Sequence, residues 1–86
     1  MEDLTRLPNI GPVLARELTE VGITTFEQLA DLGSVEAVLK LKDENIHACL
    51  NKLFAIGGAI QGVRWHSLSP ETRDRIKQAY LSALGK

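Results

Sequence analysis

Cysteine and aromatic residues are scarce in this 86-residue chain, which holds one cysteine, two phenylalanines, one tyrosine and one tryptophan. The lone Cys49 closes no internal disulfide and suits a reducing compartment. One cysteine and two histidines, without a closely spaced ligand pair, fall short of a zinc site, so neither a metal nor another cofactor is expected. Long apolar runs are missing as well. The longest stretch free of charge, Leu53 to Val63, is broken by Gly57, Gly58, Gln61 and Gly62 and is far shorter than the roughly 20 apolar residues of a membrane span. Acidic Glu2 and Asp3 stand where a secretory leader needs positive charge, which leaves the cytoplasm as the expected location. No repeat of fixed period and no low-complexity tract is present.

What remains is the composition of an ordinary folded domain, 44% hydrophobic and 24% charged. A chain this short buries only about 60% of the surface it exposes when unfolded, so residues 1–86 should form a single domain around one modest core. The net charge of −1 conceals a segregation. Residues 1–44 carry nine acids against four bases, whereas residues 45–86 carry six bases against two acids. A phosphate backbone would prefer the second half.

Apolar spacing predicts an all-α fold, a compact bundle of about five short helices. Leu4 and Leu7 suggest an opening helical turn that Pro8 ends, and a tight turn follows at Pro8-Asn9-Ile10-Gly11. From Pro12, the positions Leu14, Leu18 and Val21 recur at helical spacing until Gly22. Thr25 and Gln28 have the form of a capping box for a second helix with Phe26, Leu29 and Ala30 inward, ending near Gly33. Ser34 reads as the N-cap of a third, with Val35, Val38 and Leu39 inward. The fourth and longest, capped by Asp43 or Asn45, carries Ile46, Leu50, Leu53, Gly57 and Ile60 on one side and Cys49, Ile56, Ala59 and Val63 on another, as suits a central buried helix. Ser69 and Pro70 open the last, which turns Ile76, Ala79, Tyr80, Ala83 and Leu84 inward as far as Gly85. Each of the glycines at 57, 58 and 62 costs about 1 kcal/mol against alanine within a helix, which points to close backbone packing, with Gly58 and Gly62 as the contact points.

Side chains able to carry chemistry are few. His47 and Cys49 lie two apart on a helix and point away from each other, and no other nucleophile has an evident activating partner, so no enzyme is expected. Cys49 reads as a small buried hydrophobe. Trp65 and His66 have two readings: a tryptophan covering the end of the core beside a histidine on loop carbonyls, or an anchor for a partner. Arg64, Arg73, Arg75 and Lys77 form a candidate basic surface.

The segment Leu7-Pro8-Asn9-Ile10-Gly11-Pro12-Val13-Leu14-Ala15, continuing to Leu18 and Gly22-Ile23, resembles a helix-hairpin-helix element. In that motif a glycine-rich hairpin aims backbone N–H groups, with the positive end of the next helix, at a DNA phosphate. The resemblance implies Asn9, Ile10, Gly11 and Val13 as backbone contacts to a phosphate or a partner. Asn9 stands where the first hairpin glycine is usual, Pro12 removes one N–H, and Val13 replaces a frequent lysine or arginine. Joining two packed helices is the alternative role. The wider order, with Phe26-Glu27-Gln28-Leu29-Ala30-Asp31-Leu32-Gly33, then Leu53-Phe54-Ala55-Ile56 and Gly62-Val63-Arg64-Trp65-His66-Ser67-Leu68, resembles the C-terminal domain of the TfoX (Sxy) competence regulators over nearly the whole chain. It implies a non-enzymatic, regulator-associated domain linked to control of DNA uptake and transformation. No N-terminal domain precedes it and residue 1 is a methionine, so a free-standing module is expected.

Two functions follow as expectations. The first is docking onto a protein partner or a second copy, through Trp65, His66 and an apolar patch on the glycine-rich helix. The second is weak, sequence-independent DNA binding through the hairpin amides or the basic C-terminal half. Neither a membrane nor a small-molecule substrate is indicated. Replacing Gly58 with leucine should destabilise the fold by about 2 kcal/mol through overpacking, and an unchanged melting temperature would place that glycine at the surface.

Overall fold

A computed structural model of the chain describes residues 4–44, 46 and 50–85. A single 3-10 turn, Leu4–Arg6, leads into α1 (Pro12–Glu20), α2 (Phe26–Asp43), α3 (Leu50–Gln61), a second 3-10 turn at Trp65–Ser67, and α4 (Pro70–Gly85). The fold is all-α, and the described residues contain four α-helices rather than five. Gly33 explains the difference: at φ 84 and ψ 163 it is non-helical and kinks Phe26–Asp43 where a break was expected, so the two helical segments on either side of it run on as one bent element. Among the described residues α3, at 12, is shorter than α4, at 16, and is not the longest helix. Asn45, His47 and Cys49 lie outside the described residues.

The caps follow local chemistry. Thr25 and Gln28 form the expected capping box, with the Gln28 N–H donating to Thr25 Oγ1 at 3.1 Å and the Thr25 N–H to Gln28 Oε1 at 3.2 Å. Ser69 caps α4, accepting from the Thr72 N–H at 3.1 Å, with Pro70 in the first turn. At the end of α3 the Val63 N–H donates to Gly58 O at 2.9 Å and the Gly62 N–H to Ala59 O at 3.1 Å, with Gly62 at φ 76. This is a Schellman ending, in which a left-handed residue turns the chain back over the last carbonyls. Gly62 is therefore a terminator, and a Cβ there would meet nothing within 4 Å, which corrects its expected role as a close-contact point.

α2 and α3 form the central pair, with α4 laid across both and α1 on α2. The core holds Leu14, Leu18, Ile23, Leu29, Val38, Leu41, Leu53, Ile56, Ala59 and Tyr80. Two expected stripes are narrower than their spacing suggests. On α4 only Tyr80 is buried and Ile76 half-buried, while Ala79, Ala83, Leu81 (44% exposed) and Leu84 (42% exposed) face solvent. The last turn of α4 projects past the elements it packs on. Ala30 and Leu50 are exposed too. No helix among the described residues is long and apolar enough to cross a membrane.

Because the site at Gly62 is open, Gly62→Ala isolates backbone conformation from packing. It should destabilise the protein by about 1 kcal/mol in urea unfolding, with Gly62→Asn costing less because asparagine tolerates the left-handed region.

Candidate functional site

The chain turns between the first 3-10 segment and α1 at Leu7-Pro8-Asn9-Ile10, where the Ile10 N–H donates to Leu7 O at 3.3 Å and Asn9 sits at φ 71. Proline at the second position and a left-handed third residue are what a type II turn requires, and asparagine bears that φ better than most side chains. Only the 3-10 turn precedes it among the described residues, so the element joins a short turn to a helix. The expected contact residues behave differently from one another. Ile10 is a core residue, 3% exposed, with its N–H spent inside the turn; Gly11 is exposed and Val13 is 59% exposed.

Asn9 faces inward and is fully engaged. Its Nδ2 donates to Val63 O at 3.0 Å and to Ala55 O at 3.3 Å, and its Oδ1 accepts from the Trp65 N–H at 3.1 Å. One carboxamide thus ties the N-terminal turn to the end of α3 and to the second 3-10 segment. Gly58 makes room for it: a Cβ there would stand 2.7 Å from Asn9 Nδ2, 2.8 Å from Val63 O and 3.1 Å from Trp65 Cα. Buried Gly57 is the other close approach on α3, where a Cβ would lie 3.0 Å from Ile76 Cδ1. These glycines admit neighbours of the same chain.

Around this clamp lies a cleft of about 350 Å³ lined by Asn9, Leu14, Asn51, Lys52, Ala55, Arg64 and Trp65. Trp65 is half-buried, with Phe54 stacked near it at 6.2 Å between centroids and 18° between planes. The exposed His66 ring lies 4.1 Å from that of Trp65, tilted by 30°. Lys52 reaches across to Glu17 of α1 at 2.8 Å, both side chains largely buried, which closes one wall. Beyond Phe54 a second, shallower cleft of about 280 Å³ is lined by Phe54, Pro70, Arg73, Asp74 and Lys77. Arg64 belongs to the first cleft, Arg73 and Lys77 to the second, and exposed Arg75 lines neither.

Sequence reasoning singled out Trp65, His66 and Arg64 but not Asn51, Lys52 or Glu17. The ion pair joins residues 35 positions apart, and neither partner stands out in its own helix. Phe54 was visible only as part of a family pattern. No group of three or more His, Cys, Asp or Glu side chains converges among the described residues.

The clamp makes a coupling prediction. Gly58→Ala should cost about 2 kcal/mol by crowding Asn9, Val63 and Trp65, and Asn9→Gly about 1–3 kcal/mol through the lost hydrogen bonds. The double variant should be less destabilised than the sum by more than about 0.5 kcal/mol, since Asn9→Gly removes one of the three atoms that crowd the new methyl; additive values in urea unfolding would show the two residues to be independent.

Comparison with known proteins agrees with this picture. A crystal structure of an uncharacterised protein from Listeria monocytogenes, in a triclinic form, superposes with a TM-score of 0.87 at 40% identity, covering 95% of this chain and 93% of that one. A tetragonal form, of a Listeria monocytogenes protein of unknown function, gives 0.83 at 40% identity over 91% of this chain and 96% of that one. A curated relative, large ribosomal subunit protein bL21 of Ruegeria sp. (strain TM1040), is 40% identical over 48 residues, half of this chain. The chain spans about a quarter of that protein's length. The model of the TfoX C-terminal domain matches residues 1–80, and the chain belongs to that family.

Proposed function

We propose that the chain is a non-enzymatic interaction module of the TfoX type, serving control of DNA uptake and transformation, and that it binds a nucleic-acid strand on the face built around Trp65. The observation that carries this reading is the cleft where exposed Arg64 stands beside Trp65, whose backbone N–H is held by Asn9. The guanidinium supplies the attraction to phosphates, and the ring supplies a flat apolar surface. Gly57 and Gly58 are buried against neighbours of the same chain, and the exposed large hydrophobics Val13, Leu50, Val63, Leu81 and Leu84 are spread over α1, α3 with the turn after it, and α4. The hairpin amides are a poorer contact, because the Ile10 N–H is spent on Leu7 O and Pro12 has no N–H. A 48-residue likeness to a ribosomal protein accords with a nucleic-acid setting.

Docking of a protein partner is the second reading, favoured by the pairing of tryptophan and arginine, the residues most enriched at binding hot spots. The acidic first half keeps nucleic-acid affinity low, at about 0.1 mM at physiological salt. Titration with DNA at stepped salt concentrations should show binding that weakens as salt rises and is abolished by Arg64→Glu but not by Gly11→Val. Salt-independent binding, or loss on Gly11→Val alone, would move the contact to another surface.

A further inference from the structure

Three features of the Trp65 face bear on which form of nucleic acid it takes. Phe54, Trp65 and His66 make a short series of near-parallel rings, at 6.2 Å and 4.1 Å between centroids, ending on an exposed histidine. Cations flank the series on both sides: Arg64 lies in the cleft that Trp65 lines, Arg73 and Lys77 in the cleft that Phe54 lines. The backbone that carries the central ring is held at both ends: the Trp65 N–H donates to Asn9 Oδ1 and the Leu68 N–H closes the 3-10 turn onto Trp65 O at 3.1 Å.

A duplex keeps the faces of its bases stacked on one another and presents backbone and groove edges, so it would use the cations and leave the rings idle. An unpaired strand has exposed base faces, and aromatic platforms bind them with little regard to sequence. Two separated cationic clefts with a ridge of rings between them match a strand that crosses the ridge, one base on the rings and a phosphate on either side. The two clefts, lined by Arg64 and by Arg73 with Lys77, limit the footprint to a few nucleotides.

Resting on the nucleic-acid reading above, we propose that the ridge of Phe54, Trp65 and His66, with Arg64, Arg73 and Lys77 beside it, is a stacking site for a short unpaired phosphodiester strand.

Trp65 is the only tryptophan, so intrinsic fluorescence reports on this site alone. The full chain is titrated with oligothymidylate, oligouridylate, a duplex of equal length and poly-glutamate. Saturable quenching by either unpaired strand is expected, about tenfold tighter than the duplex, because stacking adds to the phosphate contacts. The logarithm of the affinity should fall with that of salt at a slope of about −1.4, near −0.7 for each of the two neutralised phosphates. His66→Ala, at an exposed position, should weaken the unpaired strand several-fold and leave the duplex unchanged; Arg64→Glu should weaken both. Preference between the two unpaired strands tells DNA from RNA. Equal binding of strand and duplex, unaffected by His66→Ala, overturns the stacking site while leaving the nucleic-acid reading in place. Quenching by poly-glutamate as strong as by the strands makes an acidic protein the occupant and overturns both, as does the absence of any response at low salt.

Discussion

The side chain of Asn9 and the missing side chain of Gly58 share one space, and the fold is arranged around that fit. Asn9 spends both amide hydrogens and its carbonyl oxygen on backbone groups of α3 and of the turn after it. For a half-buried amide those partners replace the water it gives up, since a desolvated donor or acceptor left unpaired costs more than the bond contributes when made. The carboxamide can reach them only because nothing projects from Gly58. Its own left-handed backbone, at φ 71, aims the side chain across the domain instead of along the chain.

From that fit the surface follows. The Asn9 side chain fixes the start of the Trp65–Ser67 turn, and the turn sets Trp65 between Phe54 and His66. The same contact brings the acidic first half against the basic second half, so Lys52 finds Glu17 and Arg64 is left at the rim of the cleft. The residue that occupies the usual glycine place of a phosphate-binding hairpin is here a structural strut.

The two glycines expected to pack closely turned out to differ in kind. Gly58 faces neighbouring atoms, while Gly62 faces none and is needed for its backbone angle. Both read alike in a sequence, as breaks in an apolar helical pattern. What separates them is the side of the helix end on which each falls: Gly58 lies within α3 on a packed face, and Gly62 lies just past its last residue.

By itself the sequence determined the all-α class, the starts of α2 and α4, the turn at Pro8-Asn9 and the family. These rest on neighbours three or four positions apart, such as Thr25 with Gln28 and Ser69 with Thr72, whose hydrogen bonds close within one helical turn. Only the tertiary structure decided that Ala79, Ala83 and Leu84 stay in solvent, and that Arg64 lines one cleft and Arg73 and Lys77 another. It alone brought Asn9 to Val63, 54 positions away, and Lys52 to Glu17. Helical periodicity says which residues share a face, but whether that face is covered depends on where the other helices stop, and that is set by contacts distant in the chain.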